Sequence, residues 1–218
     1  MVLSRKDILQ RMQSGEIKFD PALDGFQLQP HAIDLRLGFN FHIPKTWEMT
    51  KLGRKAITID PLDLHANGKN FEAINLKPGQ YFELLPEELV IGTTLERIEL
   101  NAEDVMCVLY PRSSINRRGL SVDLSGIIDV GYKGNLMIPI VNKTQKQVIR
   151  IYPGERICQV MFQQISSKIP LHEAEVHGLT KAKYGASKGF IGSKSDREDE
   201  LKLIKEGKIS ALKKTYRI

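Results

Sequence analysis

The stretch from Gln80 to Ile165 decides the fold. It breaks into short apolar runs: QYFELL (80–85), LVIGTTLERIEL (89–100), VMCVLY (105–110), LSVDL (120–124), NLMIPIV (135–141), QVIRIY (147–152) and RICQVMFQQI (156–165). Turn residues separate the runs at close spacing, and Pro78-Gly79 and Pro153-Gly154 mark tight turns ahead of strands. Runs this short, rich in β-branched and aromatic residues, read as strands. Strands of this length at this spacing predict an all-β fold, a distorted barrel or jelly roll.

Toward the N-terminus, LRLGFNFHI within residues 28–43 extends the strand pattern, and EIKFDP adds a short extended piece before it. The chain opens on a helix. Ser4 followed by Asp7 has the form of a capping box, Ile8, Leu9 and Met12 share a face, and Gly15 stops it. Residues 44–75 carry Pro44, Gly53, Pro61, Asn67, Gly68 and Asn70, which predict a loop-rich insertion with short strands such as AITID. Beyond Lys168 the strand signal fades. Residues 178–195 are rich in Gly, Lys, Ser and Ala and read as a mobile lid. DREDELKLIKEGKISALKK then places acids first and bases last, the order that suits a helix dipole. The expected organisation is a β-barrel domain over 1–177, a lid over 178–195 and a charged helical tail over 196–218.

Bulk composition narrows the function classes. Of 218 residues, 41% are hydrophobic and 27% charged, as in soluble globular chains. There is no run of 18 apolar residues and no signal-peptide pattern in MVLSRKDILQRM, so a cytoplasmic location with no membrane partner is expected. Cys107 and Cys158 lie inside apolar runs and form no CxxC pair, which reads as two buried thiols rather than a zinc or redox site. The net charge of +6 is concentrated after residue 200, where Lys202, Lys205, Lys208, Lys213, Lys214 and Arg217 face Glu206 alone. We read this segment as a solvated helical tail, which argues against nucleic acid as a partner.

Three segments carry candidate chemistry. PRSSINRRG (111–119) gathers Arg112, Ser113, Ser114, Asn116 and Arg117 after a strand, and guanidinium, hydroxyl and backbone N–H groups together suit a polyphosphate. A basic surface turn would look the same. GIIDVGYKG (126–134) presents one acid, Asp129, and Tyr132 on a hairpin, although ordinary hairpins also use Asp and Gly. YPGERICQVMF (152–162) interrupts an apolar strand with Gln159, an amide that burial requires to be hydrogen-bonded.

In this order and spacing, PRSS, G-x-I-D-x-x-Y-x-G and G-x-R-I-x-Q-x-x-F resemble the motif series of the homotrimeric dUTPase and dCTP deaminase superfamily. LSRKDILQRMQSGEIKFDP, LQPHAIDLRLG, LVIGTTLERIEL and AKYGASKG resemble the deaminase branch in particular. The resemblance implies a homotrimer whose active sites form between subunits. It implies Asp129 as the base that activates a water at the α-phosphate and contacts the 3′-OH, and Tyr132 as the ring under the deoxyribose. Arg112, Ser113 and Gln159 would hold phosphates, with Ser114, Asn116 and Arg117 beside them. Backbone groups around Gly126 and Ile128 would read the base. Asp34 in AIDLRLG matches an acid in the outer shell of a Mg²⁺ ion carried mainly by the triphosphate. In the lid, Phe190 and Ser193 match the dUTPase arm, whereas Lys183 and Tyr184 match the deaminase lid.

One position departs from the deaminase pattern. The glutamate that activates water for deamination falls, on alignment of Gly134 and Asn142, at Pro139. Proline neither gives nor takes a proton. On that ground the expected function is dUTP diphosphatase, forming dUMP and pyrophosphate. The alternatives are a dCTP deaminase, including one that also forms dUMP, and a catalytically weak nucleotide-binding regulator.

Overall fold

The computed structural model describes residues 1–60, 62, 70–124, 126–181 and 197–217. In chain order the elements are α1 (Arg5–Gln13), β1 (Ile17–Asp20), β2 (Ala32–Pro44), β3 (Trp47–Thr50), β4 (Gly53–Ala56), β5 (Phe71–Asn75), β6 (Phe82–Leu84), β7 (Leu89–Leu100) and β8 (Val105–Pro111). There follow α2 (Ser113–Asn116), β9 (Leu120–Val122), β10 (Ile127–Ile128), β11 (Lys133–Asn142), β12 (Ile149–Ile151) and β13 (Arg156–Gln164). The chain ends with α3 (Leu171–Ala174), β14 (Val176–His177), β15 (Thr180–Lys181), α4 (Glu198–Lys205) and α5 (Ile209–Thr215). The fold is mostly β, as the run of short apolar segments predicts.

The main sheet runs β10-β8-β13-β2-β7-β11-β9, with β1 added on β7 and β5 on β2. Neighbours that are distant in sequence pair throughout, which is how a curled dUTPase-type sheet is built. Alternation sets the inner face. In β11 every second residue from Gly134 to Asn142 is buried, and the residues between are half-buried. Phe41, Phe162, Ile33, Leu35, Leu37, Ile98, Ile138 and Val160 are fully excluded from solvent and form one cluster. Each such side chain contributes roughly 1.5–3 kcal/mol when buried. Cys107 and Cys158 lie in it as free thiols, and burial pushes both thiols up. Gly92 lets β7 pack closely on β2, since a Cβ there would come within 2.8 Å of Leu37 Cδ1 and that side chain would have to shift.

α1 has the expected cap: Ser4 and Asp7 bond reciprocally, and Ile8 is fully buried. Leu9 departs from expectation at 38% exposure, because one turn of amphipathic pattern is too short to fix which side of the helix meets the sheet. AITID is no strand. The hairpin lies earlier, as β3 and β4, because Thr50 Oγ1 donates to the Gly53 carbonyl and Gly53 adopts φ +107°, closing the turn there. LSVDL is a strand only as far as Val122.

The chain divides into two compact units. One comprises Met1–Ile43 and Ala73–Gly189 and holds the main sheet; the other comprises Pro44–Glu72 and Phe190–Ile218. Within the second, Gly207 at φ +68° turns α4 into α5, so this part of the expected helical tail is two short helices. No helix among the described residues is long and apolar enough to cross a membrane.

Candidate active site

The buried end of the site is built around Asp34. Antiparallel register sets Asp34 on β2 opposite Gln159 on β13, and Gln159 opposite Tyr110 on β8. These three side chains therefore share one sheet face. β8 ends at Pro111, which delivers Arg112 to the same place. Arg112 Nε lies 3.1 Å from Asp34 Oδ2, and Arg156 Nη1 lies 3.1 Å from the same oxygen. Gln29 Nε2 donates to it at 3.2 Å. Arg112 Nη1 also donates to the Arg156 carbonyl at 3.0 Å. Burial pushes the Asp34 carboxyl up, against the two arginines, which pull it down. Two cations share one carboxylate, so the cluster presents excess positive charge, as an anion site requires.

This donor set does not fit a metal. The Asp34 carboxylate is already engaged by two guanidinium groups, and the described residues contain no group of three or more His, Cys, Asp and Glu side chains placed to hold an ion.

After Arg112 the chain makes the single turn α2. Ser113, Ser114, Asn116 and Arg117 are all exposed on it, next to Arg112 and open to a ligand. The other predicted residues lie in and around the turn that joins β10 to β11; the expected hairpin does not form, because β10 pairs with β8 and β11 with β7 and β9. The Leu109 N–H donates to the Gly126 carbonyl at 2.7 Å, and Gly126 has φ +90°, a conformation that favours glycine. Ile128 is buried, opposite Cys107. Asp129 starts the turn that closes on Tyr132 and projects with its side chain 57% exposed. Tyr132 is half-buried. Its hydroxyl donates to the Asn135 carbonyl at 2.9 Å, and burial pushes its phenol up to about 12.

Register separates the two groups within one chain. Ile128 pairs with Cys107 on β8, whereas Arg112 lies five residues farther on, just past the end of that strand. At the strand rise that is on the order of 16 Å. One chain brings Arg112, Asp34 and Gln159 together, and Gly126, Ile128, Asp129 and Tyr132 together, but leaves the two sets apart. Lys183, Tyr184, Phe190 and Ser193 lie outside the described residues.

Two participants escaped the sequence reading. Arg156 is inside the GERICQ motif, but only the register on β2 shows that it doubles the charge on Asp34. His177 on β14 lies with Nε2 3.8 Å from Asp129 Oδ2. α3 sets this up by packing over the turn between β10 and β11: a Cβ at Gly131 would lie 3.7 Å from both Ala174 Cβ and Leu171 Cδ2. No local signal marks His177, since its partner lies far upstream.

Comparison with known proteins bears directly on these motifs. The model of the dCTP deaminase-like family matches residues 2–165, which include every described residue of both sets except His177. The chain belongs to the dCTP deaminase-like family. It is 32% identical over 211 residues to a dCTP deaminase, dUMP-forming, of Methanosphaera stadtmanae, covering 95% of this chain and 99% of that one. It is 35% identical over 182 residues to the protein of the same name in Methanopyrus kandleri, covering 81% and 89%. The crystal structure of 2′-deoxycytidine 5′-triphosphate deaminase from Agrobacterium tumefaciens superposes with a TM-score of 0.57 at 21% identity. It covers 76% of this chain and 49% of that chain, and supports the fold alone.

The family placement corrects the expected activity. Reading Pro139 as decisive favoured dUTP diphosphatase. Relatives across nearly the whole chain are instead named dCTP deaminase, dUMP-forming, and that reading is withdrawn. The physical reason is that one position identifies a missing group without identifying what stands in for it.

Proposed function

We propose that this protein is a dCTP deaminase that forms dUMP, hydrolysing both the 4-amino group of the base and the α–β phosphoanhydride. The net reaction takes dCTP and two waters to dUMP, pyrophosphate and ammonia. The observation that carries this reading is the match, at 32% identity over 95% of the chain, to a relative of that name.

The residues take roles that their positions support. Arg112 and Arg156, held in place by Asp34, meet the triphosphate with Ser113, Ser114, Asn116 and Arg117 on the adjoining turn. A guanidinium already oriented by a buried carboxylate loses little freedom when it takes up phosphate. Gln159 donates beside it. Gly126 and Ile128 offer backbone groups to the base edge, and Tyr132 backs the sugar. Asp129 contacts the 3′-OH and takes the proton of the water that attacks the α-phosphate, with pyrophosphate leaving in line. His177 keeps the Asp129 carboxylate in place. Mg²⁺ stays with the triphosphate in this reading, and no side chain is assigned to bind it.

The same reading makes the protein a homotrimer. A strand's length separates Asp129 from Arg112 within one chain, and a neighbouring subunit supplies the missing half. Two buried free thiols suit a reducing cytoplasm.

The test is incubation with dCTP and chromatographic separation of the products. dUMP is expected, and Asp129→Ala should lower its rate by about 10²–10⁴-fold. Accumulation of dUTP as the end product would contradict the dUMP-forming assignment.

A further inference from the structure

Removing the 4-amino group of cytosine with water requires a group that takes a proton from the water and returns it to the ring and the leaving nitrogen. At the family's position for that group this chain has Pro139. The sheet places a carboxylate directly beside it. β11 pairs with β9 as Ile140↔Val122, Val141↔Ser121 and Asn142↔Leu120. The next pair in this register is Pro139 and Asp123, and the Asp123 N–H donates to the Pro139 carbonyl at 3.0 Å. Directly opposed residues in an antiparallel pair put their side chains on one face, with Cβ atoms about 5 Å apart.

Proline also explains why the ladder ends here. Pro139 has no N–H to return the bond to Asp123, so pairing closes and β9 stops at Val122. The substitution that removes a carboxylate from β11 thus ends the ladder where Asp123 begins. Asp123 is exposed, and Ser121 Oγ donates to its Oδ1 at 2.7 Å, which fixes the side chain. Leu89, Ile91, Met137 and Val141 make the surrounding face half-buried and apolar. Three other acids of the sheet and site are engaged elsewhere: Asp34 with two arginines, Glu96 in the interior and Asp129 beside His177.

We propose that Asp123 is the catalytic carboxylate of deamination, supplied by the segment that follows β9 in place of position 139. The inference rests on the deaminase reading above. Asp123 takes a proton from water as the water oxygen bonds to C4, and the electron pair of the C4=N3 bond moves to N3. N3 takes the proton from the Asp123 carboxylic acid. Asp123 then carries the proton of the new hydroxyl to the amino nitrogen. The C4–N bond breaks, its electron pair leaves with ammonia, and C4=O forms. Nothing is oxidised or reduced.

The test uses the full-length protein and two readouts, ammonia release from dCTP and binding of α,β-imido-dCTP. Asp123→Asn, which keeps the shape, should lower ammonia release by about 10²–10⁴-fold while the analogue binds with unchanged Kd. Adding Pro139→Glu to that variant should restore ammonia release. Ammonia release that survives in Asp123→Asn overturns the proposal. So does a loss accompanied by lost binding, which marks a structural role, or a double variant as inactive as the single one. A wild-type protein that releases no ammonia from dCTP would instead contradict the deaminase reading itself.

Discussion

Asp34 shows how a single buried charge can organise a binding surface. Its carboxylate is 3% exposed and takes two guanidinium groups and an amide, so removing it leaves two neighbouring cations without their shared counter-charge. Asp34→Ala should destabilise the protein by about 3 kcal/mol, the low end for a broken buried pair, because Arg112 and Arg156 remain 25% and 28% exposed. Urea unfolding would record this as a lower midpoint at unchanged slope. A variant as stable as wild type would mean that the arginines are held by other contacts. At this scale the sequence was partly legible. The motifs named Arg112, Asp129, Tyr132 and Gln159 because their residue types repeat in a fixed order. Arg156 and His177 were not legible, because their meaning depends on cross-strand register and on a helix packed over a turn. Pro139 misled the reading for a related reason: the residue itself was visible, but its ladder partner was not.

Among the elements, β7 and β2 are tied together through an acid with no chemical assignment. Glu96 on β7 is 1% exposed and accepts from Gln27 Nε2 at 2.7 Å and from the Arg36 N–H at 2.9 Å. Burial pushes its carboxyl above the ordinary 4.5, against the pull of these bonds. The native state therefore holds this proton more tightly than the unfolded chain does. The stabilisation that comes with protonation is complete below the unfolded value and is lost as pH rises through the raised folded one. Asp7, Asp24 and Asp104 are shifted the opposite way, so only a difference between variants isolates Glu96. The stability of wild type relative to Glu96→Gln should decline as pH rises through and above the ordinary carboxylate range in urea unfolding. A pH-independent difference would contradict the account. Strands this short are legible from apolar runs and turn residues, and so is a capped helix such as α1. Where a strand stops is not, since β9 ends because of a proline on its neighbour.

For the whole molecule, the separation along β8 leads to a prediction about assembly. If Asp129 of one subunit works with Arg112 of another, Arg112→Ala and Asp129→Ala should each be inactive alone. After dissociation and joint reassembly, about a quarter of the sites should combine an intact Arg112 with an intact Asp129 and recover activity. A mixture as inactive as its components would contradict a shared site. The central claim is that both hydrolyses take place on dCTP, and it is tested most directly by following dCTP labelled with ¹⁵N at the 4-amino group. Labelled ammonia, pyrophosphate and dUMP appearing in equal amounts is the predicted result. Labelled nitrogen that stays on the nucleotide while pyrophosphate is released, or dCTP left untouched, would contradict it.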